Sequence, residues 1–200
     1  MDMNYKSKDL PQGMMIKSMT LNFSPQFVEL RGFDSKIGKS DIRANGMIEN
    51  ILQYVFKDSL LQGTFSMKSS LMDLNEFMSE DETATAAADT SSLSIIEVPK
   101  NIDFILNASV SKLLYDKIEI KNMTGSVIIR DSKVMMNKLK MNTMGGNMLM
   151  SGTYNTQNPK IPAVNFDLNI SDFDIPMTFK YFNTVQKLAP VAKYASGRFS

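Results

Sequence analysis

The chain has 200 residues, 22 basic against 21 acidic side chains, and 43% hydrophobic residues. That is enough for one large domain or two small ones with a real core, and the near-neutral balance offers no basic stripe to nucleic acid. Cysteine and histidine are both absent. Their absence excludes disulfides, thiolate nucleophiles, Cys/His metal sites and every His-dependent triad, so we expect no enzyme, no cofactor and no metal.

Residues alternating between apolar and polar dominate from the start, the mark of half-buried β-strands. Met19, Leu21 and Phe23 share one side, followed by Val28 and Leu30, and then by Ile42, Ala44, Gly46 and Ile48. Leu61, Gly63, Phe65 and Met67 alternate with Gln62, Thr64, Ser66 and Lys68. Further on, Ile102, Phe104, Leu106, Ala108 and Val110 repeat the pattern, as do Ile118 and Ile120, then Leu139 and Met141, then Met148 and Met150. Val164, Phe166, Leu168 and Ile170, set between Asn165, Asp167, Asn169 and Ser171, make the cleanest strand. We expect about nine strands, with short connections such as Arg130-Asp131-Ser132 joining antiparallel neighbours. Gly145 and Gly146 should mark a tight turn between the strands that end near Thr143 and begin near Asn147.

Two stretches break this pattern. Residues 79–94, SEDETATAAADTSSLS, are acidic, small and polar, and read as a flexible loop or linker. Near the C-terminus Phe179, Phe182, Val185, Leu188, Ala189 and Ala192 recur at helical spacing, which predicts a helix over 176–196 packed on the sheet or at its end. The opening MDMNYKSKDLPQ has no apolar stretch of the signal-peptide kind, and no run reaches the roughly 18 apolar residues of a membrane-spanning helix.

A weak internal repeat is also present. Residues 28–50 lie without gaps on 134–156, matching Val28 with Val134 and Gly46 with Gly152. Each copy runs on into a strand that starts at a phenylalanine and ends in an Asp-aliphatic pair, Asp73-Leu74 and Asp174-Ile175. The expected organisation is a first strand-rich repeat (15–78), the linker (79–94), a second strand-rich repeat (95–175) and the helix (176–196).

The strands thus define a sheet wet on one face only. Periodicity leaves three uses for the dry face: an ordinary core against another layer, the lipid face of an outer-membrane barrel, or the lining of an open groove for a long apolar ligand. The 17 methionines suit an adaptable lining, and equally a Met-rich core. The absence of Trp argues against the aromatic girdles of a barrel.

From Val98 the order of features resembles the C-terminal region of AsmA-like proteins, inner-membrane-anchored periplasmic proteins related to bridge-like lipid-transfer proteins. The features are Val98, Pro99 and Asn101 before a long strand, and Leu114, Tyr115, Ile118, Ile120, Asn122 and Gly125. The paired glycines 145 and 146 follow, then Gly152 and the stretch from Leu188 to Gly197. The resemblance covers residues 98–200, and 15–78 more loosely as a preceding repeat.

That resemblance implies a mainly β fold: a long antiparallel, curved, open sheet forming a taco-like groove from two related strand-rich units, with a C-terminal helix. It implies a periplasmic role in outer-membrane biogenesis, with phospholipid or another acyl-chain lipid carried between inner and outer membranes. The chain would be tethered to the inner membrane through a segment not in this sequence. Catalytic residues are not implied. The groove lining would be Ile102, Phe104, Leu106, Ile118, Ile120, Leu139, Met141, Met148, Met150, Val164, Phe166, Leu168 and Ile170. The alternative is a scaffold or chaperone-like module whose strand edges pair with outer-membrane or envelope assembly proteins.

Overall fold

A computed structural model describes residues 3–7, 10–77, 96–181 and 193–200. Ten strands form one sheet in sequence order: β1 (Met3–Ser7), β2 (Leu10–Phe23), β3 (Phe27–Ile37), β4 (Ser40–Glu49), β5 (Leu61–Asp73), β6 (Ile102–Tyr115), β7 (Ile118–Arg130), β8 (Lys133–Thr143), β9 (Gly146–Asn155) and β10 (Ala163–Ser171). β1 and β10 lie at opposite edges and do not meet, so the sheet is not closed into a barrel. At about 4.8 Å between strands it is roughly 43 Å wide.

The expectation of a wholly antiparallel sheet needs correcting, because the sheet is mixed. β1 to β5 and β6 to β10 are each antiparallel meanders, but β5 and β6 run parallel from Leu61↔Ile102 to Asp73↔Leu114. A parallel neighbour cannot follow through a tight turn, and β5 accordingly ends at Asp73 at one end of the sheet while β6 begins at Ile102 at the other. The expected linker, residues 79–94, lies outside the described residues. Residues 96–101 run under the sheet: the Val98 N–H donates to Thr156 Oγ1 at 2.9 Å, and the Leu61 N–H to the Asn101 carbonyl at 2.9 Å.

The strand ladder gives the molecule two distinct ends. Lower connections are residues 24–26, 50–60, 131–132 and 156–162; upper ones are 38–39, 74–77, 116–117, 144–145 and residues 172–181. The turn expected at Gly145 and Gly146 falls one residue earlier, on Met144 (φ 51°) and Gly145 (φ 75°), and Gly146 opens β9 opposite Thr143. The paired positive φ values suit the right-handed twist of a two-residue hairpin. Asp131 (φ 53°) and Ser132 (φ 58°) repeat the geometry at the lower end.

Two short α-helices are found among the described residues. α1 (Ile51–Lys57) fills the β4–β5 connection and buries none of its residues. α2 (Ile175–Tyr181) follows β11 (Phe173–Asp174), which pairs with β12 (Arg198–Phe199). The Asp174 carboxylate accepts the Met177 N–H at 2.8 Å, satisfying a free donor of the first helical turn. The helix expected over 176–196 therefore begins at Ile175 and is described to Tyr181. Residues 182–192 lie outside the described residues, and Lys193-Tyr194 form a 3₁₀ turn.

The candidate apolar binding face

Residues paired across a sheet point to the same side, so the registers trace continuous rows of side chains over the strands. One row reads Leu21, Leu30, Gly46, Phe65, Leu106, Val127, Met136, Gly152, Phe166 from β2 to β10. The row nearest the lower end reads Phe23, Val28, Ile48, Gly63, Phe104, Ile129, Val134, Tyr154, Val164. Neither contains a charge, and both cross the parallel β5–β6 seam unbroken. The opposite face carries Asn45, Ser66, Asn107, Ser126 and Asn137 in one row and Asp34, Arg43, Lys68, Ser109, Thr124 and Lys140 in another. Asp34 there lies within 3.7 Å of Lys17 and 3.6 Å of Arg43. Hydrogen bonds from Lys112 and Lys121 hold the Glu119 carboxyl below the usual carboxylate range.

The predicted lining residues fall on the apolar face. Phe104 and Leu106 pair with Gly63 and Phe65, and Ile102 pairs with Leu61. Leu139, Met150 and Leu168 form one row, and Met141, Met148 and Ile170 the next. Ile118 and Ile120 lie beyond a bulge at Asn122 (φ 51°), and the pairing Lys121↔Asn142 puts Ile120 on the side of Met141.

Their exposure divides them. Val164, Phe166 and Leu168 are 53%, 58% and 55% exposed, whereas Leu139 and Met141 are buried. Those two are part of a packed core with Val110 and Leu113, not open lining. Leu139 sinks because Gly125 lies beneath it: a Cβ at Gly125 would come within 2.5 Å of Leu139 Cδ2. Of the buried apolar residues, Ile16, Ile37, Val110, Leu113, Leu139, Met141, Met144 and Phe173 lie in the upper half of the sheet or above it, and Val98, tied to Thr156, is the one at the lower end. The face is packed above and open below.

The hollow on this face is centred on the first meander, which the sequence list omitted. Met19, Leu21, Val28, Leu30, Phe33, Ile42, Ala44, Ile48, Phe65, Met67 and Leu106 line about 460 Å³ with almost no polar surface. That volume is within the range of about 300–1,000 Å³ usual for small-molecule sites. The same alternation that revealed β10 could have found these residues. Val127 and Ile129 were hidden because the run GSVIIR is apolar on both sides.

Among the described residues no group of three or more Asp or Glu could hold a metal ion. No described helix is long and apolar enough to cross a membrane. No protein-family model, curated protein or solved structure matches the chain.

Proposed function

We propose that this chain is a lipid-conducting β-groove segment of an AsmA-like periplasmic protein, tethered to the inner membrane through a segment outside this sequence and serving outer-membrane biogenesis. The ligand is a phospholipid or other acyl-chain lipid moving between the two membranes. One observation carries the reading: apolar rows continue over nine strands of an unclosed sheet, and their lower halves remain open to solvent. Each methylene kept out of water there is worth about 0.8 kcal/mol, while headgroups stay at the wet rim. The mechanism is passive, and needs no nucleophile or metal.

We read the taco-like groove as two related five-stranded units joined at the parallel seam. The β3–β4 and β8–β9 hairpins support this with the same pairing at a shift of 106 residues. Val28↔Ile48 answers to Val134↔Tyr154, and Leu30↔Gly46 to Met136↔Gly152.

The test is native mass spectrometry with lipid extraction of the purified chain. Bound phospholipid that Leu168→Asp displaces, in a variant that stays folded, supports the conduit. A lipid-free wild type rules it out.

A second reading, a scaffold for outer-membrane β-proteins, draws support from the β10 edge. AVNFDLNIS pairs with β9 through nine residues with no bulge, proline or lysine, which leaves Asp167 as the one charge guarding this edge. β1 at the other edge is short, carries Lys6 and is irregular between Tyr5 and Ser7. Photocrosslinkers along β10 should capture a barrel or assembly protein if this reading holds.

A further inference from the structure

We propose that the lower end of the sheet docks on a lipid bilayer through bulky apolar tips. The inference extends the conduit reading to one end of the molecule. Its evidence is where exposed side chains gather. Phe23 ends β2 at 74% exposure, Phe56 on α1 is 77% exposed, Ile96 below the sheet 74%, and Ile161 before β10 73%. Val55 on α1 is also exposed. These residues come from four separate connections that share only their position at the lower end.

The opposite end is built differently. There Glu76 accepts the Lys39 N–H at 2.8 Å, Asn75 Oδ1 accepts the Asp116 N–H at 2.6 Å, and Lys39 Nζ lies 3.6 Å from Asp73. Polar turns close over packed core, and among the described residues the bulky side chains there, Phe77, Tyr115, Met177 and Phe199, are 38–46% exposed, with Tyr194 alone reaching 85%; four of the five bulky side chains exposed beyond 70% stand at the lower end.

Between the lower tips most of the chain is polar, with Ser24 and Gln26, Asn50, Asp131 and Ser132, and Asn155 to Asn158, while Leu52 and Leu60 add smaller exposed apolar surface around α1. A protein partner is held by a contiguous apolar centre inside a polar rim. Separate tips with polar saddles instead fit an interface where bulky side chains dip below the headgroups and lysines stay among them. The tips also continue the sheet's dry side, since Phe23 begins its lowest row and Val164 ends it. A lipid leaving a bilayer here would meet apolar surface without a gap.

Charge sharpens the proposal. At this end Lys57, Lys100, Arg130, Lys133 and Lys160 are matched by Glu49, Asp58, Glu97, Asp103 and Asp131, and Arg130 is held 2.8 Å from Asp103. With the signs balanced, burial and not attraction to anionic lipid should drive binding, so salt should have little effect.

The chain contains no Trp, so a single introduced indole can report insertion. With phosphatidylcholine vesicles, Phe56→Trp and Ile161→Trp should each shift to the blue, while Tyr194→Trp at the upper end should not. In flotation the wild-type chain should rise with the vesicles. Phe56→Ser with Ile161→Ser should reduce this at least tenfold at an unchanged denaturation midpoint, whereas added salt or phosphatidylserine should change it less than about twofold. Absence of flotation, an unaffected double variant, or an equal loss with Tyr194→Ser overturns the proposal. So does self-association that depends on these tips without vesicle binding, because the occupant is then a second copy. Leu168→Asp should leave flotation intact. A wild-type chain that floats but carries no co-purifying lipid counts against the conduit alone, and one that carries lipid but does not float counts against docking alone.

Discussion

The β3–β4 and β8–β9 hairpins share a ladder but little sequence. Both carry a bulge at the same place, between Leu30 and Phe33 and between Met136 and Leu139. Both set a glycine under a phenylalanine of the next strand, Gly46 below Phe65 and Gly152 below Phe166. Even the closing bond recurs, with Asn50 N–H donating to the Gln26 carbonyl and Thr156 N–H to that of Ser132. What persists is what the backbone needs: bulge, turn and the missing Cβ. The side chains between them are free to differ provided the row stays apolar.

The two copies differ in what lies beyond them. Phe65 has β6 as a neighbour and meets Phe104 edge to face at 5.7 Å, whereas Phe166 sits on the edge strand. Gly46→Val should therefore have the largest effect. Its Cβ would come within 2.5 Å of both the Phe65 ring and the Thr64 carbonyl, costing about 3 kcal/mol in urea unfolding. Gly152→Val meets mainly the Phe166 ring, which can swing into solvent, and should cost about 1 kcal/mol. Equal losses would mean that the edge strand is covered.

The upper turns offer the next test. Glu76 accepts from the Lys39 N–H and the Ser40 hydroxyl, while Met177 sits over Gly145 with no such bonds. Glu76→Ala should cost about 1.5 kcal/mol, and Met177→Ala less. Of the two hairpins, the first should contribute to the acid limb of stability. Burial pushes the Asp41 carboxyl up, but hydrogen bonds from the Leu71 and Ser70 N–H groups, the Ser70 hydroxyl and the Arg43 charge outweigh it and hold the group low. A lowered folded value stabilises above the unfolded pKa of about 3.9 and is lost as pH falls through the folded one. Asp41→Asn should flatten that limb in pH-dependent denaturation; Asn147, at the same place in the second copy, has no charge to titrate. The smallest effect is expected at Ser69, whose buried hydroxyl has no hydrogen-bond partner. Ser69→Ala should be neutral or stabilise by up to about 1 kcal/mol by thermal unfolding, since the second copy places Ile170 there.

The strands, the Gly145 turn and the hairpin correspondence were legible because each rests on local chemistry: alternation of period two, positive φ at a turn, and a glycine facing a ring. α1 was not, because seven residues give too little periodicity for a helical signal. β1 was not, because MNYKS mixes charge into a strand that buries almost nothing.

By itself the sequence determined that the chain makes strands with one dry and one wet face, that a hairpin pattern occurs twice, and that His- and Cys-based chemistry is excluded. All of these depend on residue type and on neighbours close in the chain. The tertiary structure decided that β5 and β6 run parallel, so the two meanders share one dry face, and that the face is packed at its upper end and open at its lower. It also moved Leu139 and Met141 from lining to core and put the hollow among residues of the first meander. Register across long separations and the depth to which a side chain sinks come from strands meeting in space, and no local pattern encodes them.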